Sequence, residues 1–249
     1  MDEESTGNPL LTTLANHRLF LLALCVCAAL AGPARADDRQ SEFVPELDAY
    51  WNFADRFRLF VSASTTQSLS EGVTDGDIGA YLDILSIKTI LPDQLLLDPD
   101  WAHNRYVWAR VGYAFGGIHE GLDLRNGFNE TRFVAEMSGR YPISSRFWVT
   151  TRARLDLRTL SGERSNRYRF RMGVETEYRV LGSRVLPYAH AEILYDTRFD
   201  AWNRQIYQVG VEIELTQWLR IEPSYAFQVD TSMEPRHVDR VGLALKFYR

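Results

Sequence analysis

Six arginines stand at alternating positions on two neighbouring stretches, Arg152, Arg154 and Arg158 on the first and Arg167, Arg169 and Arg171 on the second. A guanidinium offers a rigid fork of donors that matches a carboxylate or a phosphate. Glu175, Glu177, Glu192 and Glu212 supply the opposite sign, joined by Asp156, Glu214 and Glu222. Such a set can do two things. It can pair with itself and fill an enclosed space with salt bridges, or it can line a charged passage or binding cleft for an anionic solute or a lipopolysaccharide group. A catalytic use would need a base beside a nucleophile. Past the first forty residues the chain offers only His103, His119, His190 and His237. His190 shares its alternation with Glu192 and Asp196, which reads as a histidine bonded into an ionic surface. No two histidines have metal-ligand spacing, no phosphate-binding glycine loop is present, and Gly116-Gly117 reads as a turn. No catalytic residue, metal or cofactor is therefore assigned, and the chain is not read as an enzyme.

A second candidate is the short polar link Asp196, Arg198, Asp200, Trp202, Asn203 and Arg204. It could be a tight hydrogen-bonded hairpin. Alternatively, a tryptophan flanked by acids and an arginine could bind a sugar or phosphate headgroup by stacking and charge.

Both candidates sit on segments of about a dozen residues that alternate with period two, the mark of β-strands. Arg146, Trp148, Thr150, Arg152, Arg154, Asp156 and Arg158 share one face of their segment, and Phe147, Val149, Thr151, Ala153, Leu155 and Leu157 the other. Arg167, Arg169, Arg171, Gly173, Glu175 and Glu177 oppose Tyr168, Phe170, Met172, Val174, Thr176 and Tyr178. His190, Glu192 and Asp196 oppose Ala189, Ala191, Ile193 and Tyr195; Arg204, Gln208 and Glu212 oppose Tyr207, Val209 and Val211. Short turns near Asn52–Asp55, Pro142–Ser145, Leu181–Arg184 and Thr216–Gln217 alternate with longer polar links, as in a membrane barrel. Ile90–Trp101 departs from this rule and reads as a periplasmic cap.

Alternation alone does not say which face is outside. Segment length suits a bilayer crossed at a tilt. Aromatic residues recur at segment ends on the apolar face, where interfacial girdles belong. The basic residues are almost all arginine, Lys88 and Lys246 being the only lysines, and arginine suits enclosed ion pairs. The expected fold is all-β, an antiparallel transmembrane β-barrel of 10–12 strands with 12 slightly favoured. Eleven segments can be counted. The first, Val44–Asn52, then runs down from the outside, at odds with the even strand number usual for such barrels.

Arg18, the apolar run Leu19–Leu30 and Ala34-Arg35-Ala36 make a secretory signal peptide. Residues 1–36 are expected to be removed, leaving a barrel over 37–249. Cys25 and Cys27 would go with them. Of 28 basic and 33 acidic residues, losing Arg18, Arg35, Asp2, Glu3 and Glu4 leaves 26 and 30. This mildly acidic balance argues against a nucleic-acid partner.

The run Pro187–Ala189, Tyr195-Asp196-Thr197-Arg198-Phe199-Asp200-Ala201-Trp202-Asn203-Arg204 and Tyr207–Glu212, with Pro235–Val238, resembles a family of proteobacterial outer-membrane β-barrels described only as a domain of unknown function. The resemblance extends more loosely over Glu46–Tyr248. It implies a bacterial outer-membrane location, lipid as surroundings and the barrel assembly machinery as a partner in biogenesis; it implies no activity and no small-molecule ligand. One departure is the C-terminus, Phe247-Tyr248-Arg249, where such barrels usually end on an aromatic residue. N-terminal sequencing of membrane-extracted protein is expected to begin at Asp37, and a mature chain retaining Cys25 would refute the cleavage site.

Overall fold

The computed structural model describes residues 39–54, 56–69, 73–86, 107–120, 130–144, 146–161, 167–180, 183–232 and 236–249. The signal peptide, both cysteines, Ile90–Trp101 and His103 lie outside them. Eleven strands follow one another: β1 (Arg39–Ala54), β2 (Phe57–Ser68), β3 (Val73–Ser86), β4 (Val107–Glu120), β5 (Glu130–Pro142), β6 (Phe147–Leu160), β7 (Arg167–Tyr178), β8 (Val185–Asp196), β9 (Ala201–Glu214), β10 (Leu219–Asp230) and β11 (His237–Tyr248). Each pairs with its sequence neighbours, and the sheet closes on itself. Closure satisfies the backbone groups that an open edge would leave bare.

The closing pair explains the odd count. β1 and β11 run parallel, in register from Arg39 opposite His237 to Tyr50 opposite Tyr248, while every other pair is antiparallel. The first segment therefore joins the wall although its direction breaks the up-and-down alternation. Eleven strands lie within the expected range, and the slightly favoured twelve is not what forms. Gly116-Gly117 is also no turn: β4 continues through both to Glu120.

The alternation has the expected sense. Met137, Tyr113, Met172 and Ile193 are exposed on the outside, Met137 by 62%. On the inside, Asp83 and Asp156 are wholly buried, with Asp196 and Glu192 nearly so. A soluble barrel would show the reverse. Trp51, Phe53, Phe57, Tyr178 and Trp218 stand exposed near one rim, and Tyr168, Trp202 and Tyr207 near the other. On β6 the ten residue steps from Phe147 to Leu157, at ~3.4 Å each and tilted ~45°, span roughly 24 Å. That is close to the ~25 Å apolar band of outer-membrane barrels.

Not all of the inner wall is ionic. Tyr248, Tyr50, Phe60 and Tyr81 form a stacked row across β11, β1, β2 and β3, with centroid spacings of 4.8, 4.6 and 5.3 Å. Ala114 and Val134 extend it as a small buried cluster. Arg110 lies 4.0 Å over Phe60, Arg58 4.9 Å over Tyr50 and Arg220 4.6 Å over Tyr248. The row crosses the parallel seam and ties it on the lumenal side.

With both native cysteines upstream of Ala36, the seam can be checked by cross-linking. Leu47→Cys and Leu245→Cys, facing partners on the outer side, are expected to form a disulfide under mild oxidation. Leu47→Cys with Leu219→Cys, two strands away, is not. Mass mapping of the linked peptides decides it.

Candidate functional site

The lumenal charges assemble into a lattice that links strands not adjacent to one another. On β2–β4, Asp83 receives Arg58 Nη2 and Arg110 Nε, both at 2.6 Å. Further round, Asp77 of β3 meets Arg132 of β5, passing over β4. Glu130 holds Arg158 at 2.6 Å and Arg132 at 3.4 Å. Asp196 of β8 takes Arg169 of β7 at 3.1 Å and Arg158 of β6 at 3.5 Å. Below this tier, Asp156 holds Arg154 at 2.6 Å and Arg171 at 3.5 Å. Glu192 holds Arg152 at 2.9 Å and Arg171 at 3.5 Å. Arg140 of β5 reaches Glu177 of β7 at 2.5 Å.

This geometry answers a difficulty in the register. Arg132 lies opposite Arg158, Arg158 opposite Arg167, and Arg154 opposite Arg171. Like charges directly across a strand pair repel. The arginines are tolerable because acids reach them, from the same strand as Asp156 does Arg154, from a neighbouring strand, or over an intervening one, and the last reach needs low ground. Gly116 lies directly under the Asp77–Arg132 pair: a Cβ there would sit 3.2 Å from Asp77 Oδ2 and 3.5 Å from Arg132 Nη2. Gly173 stands in register between Arg152 and Glu192, and its missing side chain leaves room for the His190 ring. Gly210 does the same for Tyr188, whose hydroxyl crosses β9 to donate to Glu222 at 2.8 Å.

By strand register the eleven ionisable residues expected in the lumen share the inner face, yet they do not form one cluster. Arg152, Arg154, Arg158, Arg169, Arg171 and Glu192 belong to the β5–β8 lattice described above, and Arg167 stands in register at its edge. His190 Nε2 lies 3.3 Å from Arg152 and Nδ1 3.8 Å from Glu175. Glu177 pairs with Arg140. Glu212 belongs to a separate corner with Arg220 and Lys246. Nothing in the sequence marks the acids and bases of β3–β5 as partners of these arginines. Which residues meet depends on register and strand-skipping, and neither shows in composition.

The six-residue link does not converge on one site. Asp196 turns into the lumen toward Arg169, and its Oδ1 accepts the Arg198 amide at 2.9 Å. The Arg198 guanidinium lies over Phe199. Asp200 has φ 50°, a left-handed conformation that aspartate tolerates better than most residues, and its carboxylate accepts the Tyr195 hydroxyl. A register shift follows Leu194, which flips Trp202 to the outside. There it packs edge-on to Tyr195 and Phe170 at 5.6 and 6.2 Å. Asn203 is buried, and its carbonyl accepts the Thr231 amide at 2.8 Å. Arg204 faces inward again, onto Asp230 at 2.8 Å. Trp202 and Arg204, expected on one contact surface, thus lie on opposite faces; Asp196, Trp202, Asn203 and Arg204 tie the hairpin to its neighbours, while Arg198 and Asp200 make contacts within it.

No family model and no curated protein matches the chain. Among solved structures it is similar to the NanC porin, with a TM-score of 0.51 at 10% identity over 77% of this chain and 87% of that one. It also aligns with the KdgM porin, TM-score 0.44 at 10% identity over 79% and 91%. A third alignment is to the β domain of the Bordetella autotransporter Brka, TM-score 0.47 at 15% identity over 80% and 84%. The likeness to the NanC porin is one of fold, a closed β-barrel.

Gly116→Val is expected to push apart the Asp77–Arg132 pair and lower stability by about 1–3 kcal/mol, the cost of leaving buried polar groups unsatisfied. Ala135→Val, on the outer face, should change it little. Urea unfolding of the refolded barrel measures both.

Proposed function

We propose that the mature chain is an integral barrel of the bacterial outer membrane with a structural or envelope-binding role, and that its lumen is closed at rest. It is exported on residues 1–36, folded by the barrel assembly machinery and surrounded by outer-membrane lipid, as in the domain-of-unknown-function family it resembles. The observation that carries this reading is the mutual pairing of buried lumenal charges. Asp83, Asp156, Glu192 and Asp196 are almost inaccessible, and each is shared between two arginines. In a wide aqueous pore these side chains would be exposed to water. Eleven strands stand between the filled eight-stranded barrels and the sixteen-stranded porins, a bore that crossing side chains can fill.

A second reading, a narrow channel for small charged solutes, has one observation in its favour. Arg152 Nε and Glu136 Oε2 are buried without a hydrogen-bond partner among the described residues, and buried polar groups of this kind are commonly served by water. A planar bilayer separates the two readings. The closed barrel is expected to show little or no steady conductance; large, constant currents from the unmutated protein would overturn it.

A further inference from the structure

The outward face of the wall carries charge in one place. By register, Arg39 of β1 and Asp239 of β11 are the only Asp, Glu, Lys or Arg residues that the described strands turn outward. They stand beside the seam at the rim of the longer links. Two rows of outward side chains cross four strands there: Gln205, Val229, His237 and Arg39, then Tyr207, Phe227, Asp239 and Ser41. Val209, Tyr225, Val241 and Phe43 follow beneath. A charge facing acyl chains is costly at mid-membrane and tolerated near the interface, and this pair lies level with Tyr207 of the aromatic rim. Asp239 accepts Nε and Nη2 of Arg39, the latter at 2.8 Å, and also the Tyr225 hydroxyl. The guanidinium is thereby fixed over Phe227, on which His237 stacks. Its Nη1 has no hydrogen-bond partner among the described residues, and the side chain is 37% exposed. Lumenal Arg171 meets two acids, whereas Arg39 meets one. At the other end of the rows, Gln205 Oε1 accepts the Tyr207 hydroxyl at 2.9 Å. The Gln205 amide nitrogen has no partner among the described residues. Trp202 and Tyr207 beside it are each half exposed.

We propose that this outward grid binds the phosphorylated sugar headgroup of a lipid in the surrounding leaflet, that of lipopolysaccharide. The inference rests on the proposed outer-membrane location and extends it to a particular lipid and a particular place on the wall. Arg39 Nη1 and the Gln205 amide point donors outward at headgroup depth, where a phosphate or a sugar hydroxyl can accept them. The exposed Trp202 and Tyr207 rings suit the apolar face of a sugar ring. Val209, Val241 and Phe43 continue downward as wall for the acyl chains. From Gln205 to Arg39 is three strand spacings, about 14 Å, the span of two joined sugar rings. The remaining outward face at this rim, Phe133, Leu157, Tyr168 and Tyr195, offers aromatic and aliphatic surface without a charge.

The test uses the purified mature barrel inserted into phosphatidylcholine vesicles, insertion being read from the heat-modifiable gel shift. It is titrated with rough-type lipopolysaccharide and, at equal phosphate, with phosphatidylglycerol, and retained lipid is counted by native mass spectrometry. Saturable retention of lipopolysaccharide is expected, without matching retention of phosphatidylglycerol. Arg39→Gln should weaken it about ten-fold, as loss of one charge-assisted hydrogen bond implies. Thr131→Val, outward on β5 at the same rim, should leave it unchanged. Gln205→Leu, which keeps the ion pair, should also weaken retention and serves in place of Arg39→Gln if that variant does not insert. A parent barrel that fails to insert overturns the outer-membrane reading and the site with it. An inserted barrel that retains both lipids alike, or whose inserted Arg39→Gln or Gln205→Leu form binds lipopolysaccharide as tightly as the parent, overturns the site alone.

Discussion

A charge that faces the inside of a narrow barrel has little water to solvate it, so it must find its opposite among the other side chains. Removing one member of such a pair costs far more than the pair contributes. This constraint organises the inner wall. Asp83, Asp156, Glu192 and Asp196 each serve two arginines. Because arginines are so often register neighbours, some acids are reached across an intervening strand, as Glu192 is by Arg152 and Asp196 by Arg158. Glycine at 116, 173 and 210 gives the crossing groups their room. The apolar exterior follows from the same division: with the charges turned inward, each strand leaves its other face to lipid.

Period-two alternation made the strands and their faces legible, since a strand has only two sides and the hydrophobic face must be of one kind. Phe170, Met172 and Val174 against Arg169 and Arg171 carried that information, and the structure keeps it. The tertiary partners were not legible. Nothing near Arg132 in the chain points to Asp77, because the contact passes over β4. Trp202 was misplaced for a related reason. One extra residue on β9, Asn203, opposite the step from Leu194 to Tyr195, reverses the phase of that strand, and the run Asp200–Arg204 gives no compositional sign of it.

The odd strand number is a matter of direction. A barrel made only of antiparallel pairs needs an even count, and eleven segments seemed to leave one in excess. The parallel pairing of β1 with β11 absorbs it. That seam joins the two ends of the chain through the longest separation in the molecule, and it carries aromatic stacking between Tyr50 and Tyr248 as well as backbone hydrogen bonds. At the same seam Asp48 stands opposite Lys246, whose ammonium reaches Glu212 and Glu222.

The account rests on a barrel that is apolar outside and closed by charge inside. Spin labels placed singly at residues 168 to 174 in a cysteine-free mature chain, reconstituted in lipid, test both halves at once through their exposure to oxygen and to a water-soluble nickel chelate. Oxygen exposure is expected to peak at 168, 170, 172 and 174, with 169 and 171 shielded from both reagents. Oxygen maxima at 169 and 171 would contradict the outward apolar face, and strong exposure of those two positions to the chelate would contradict the closed lumen.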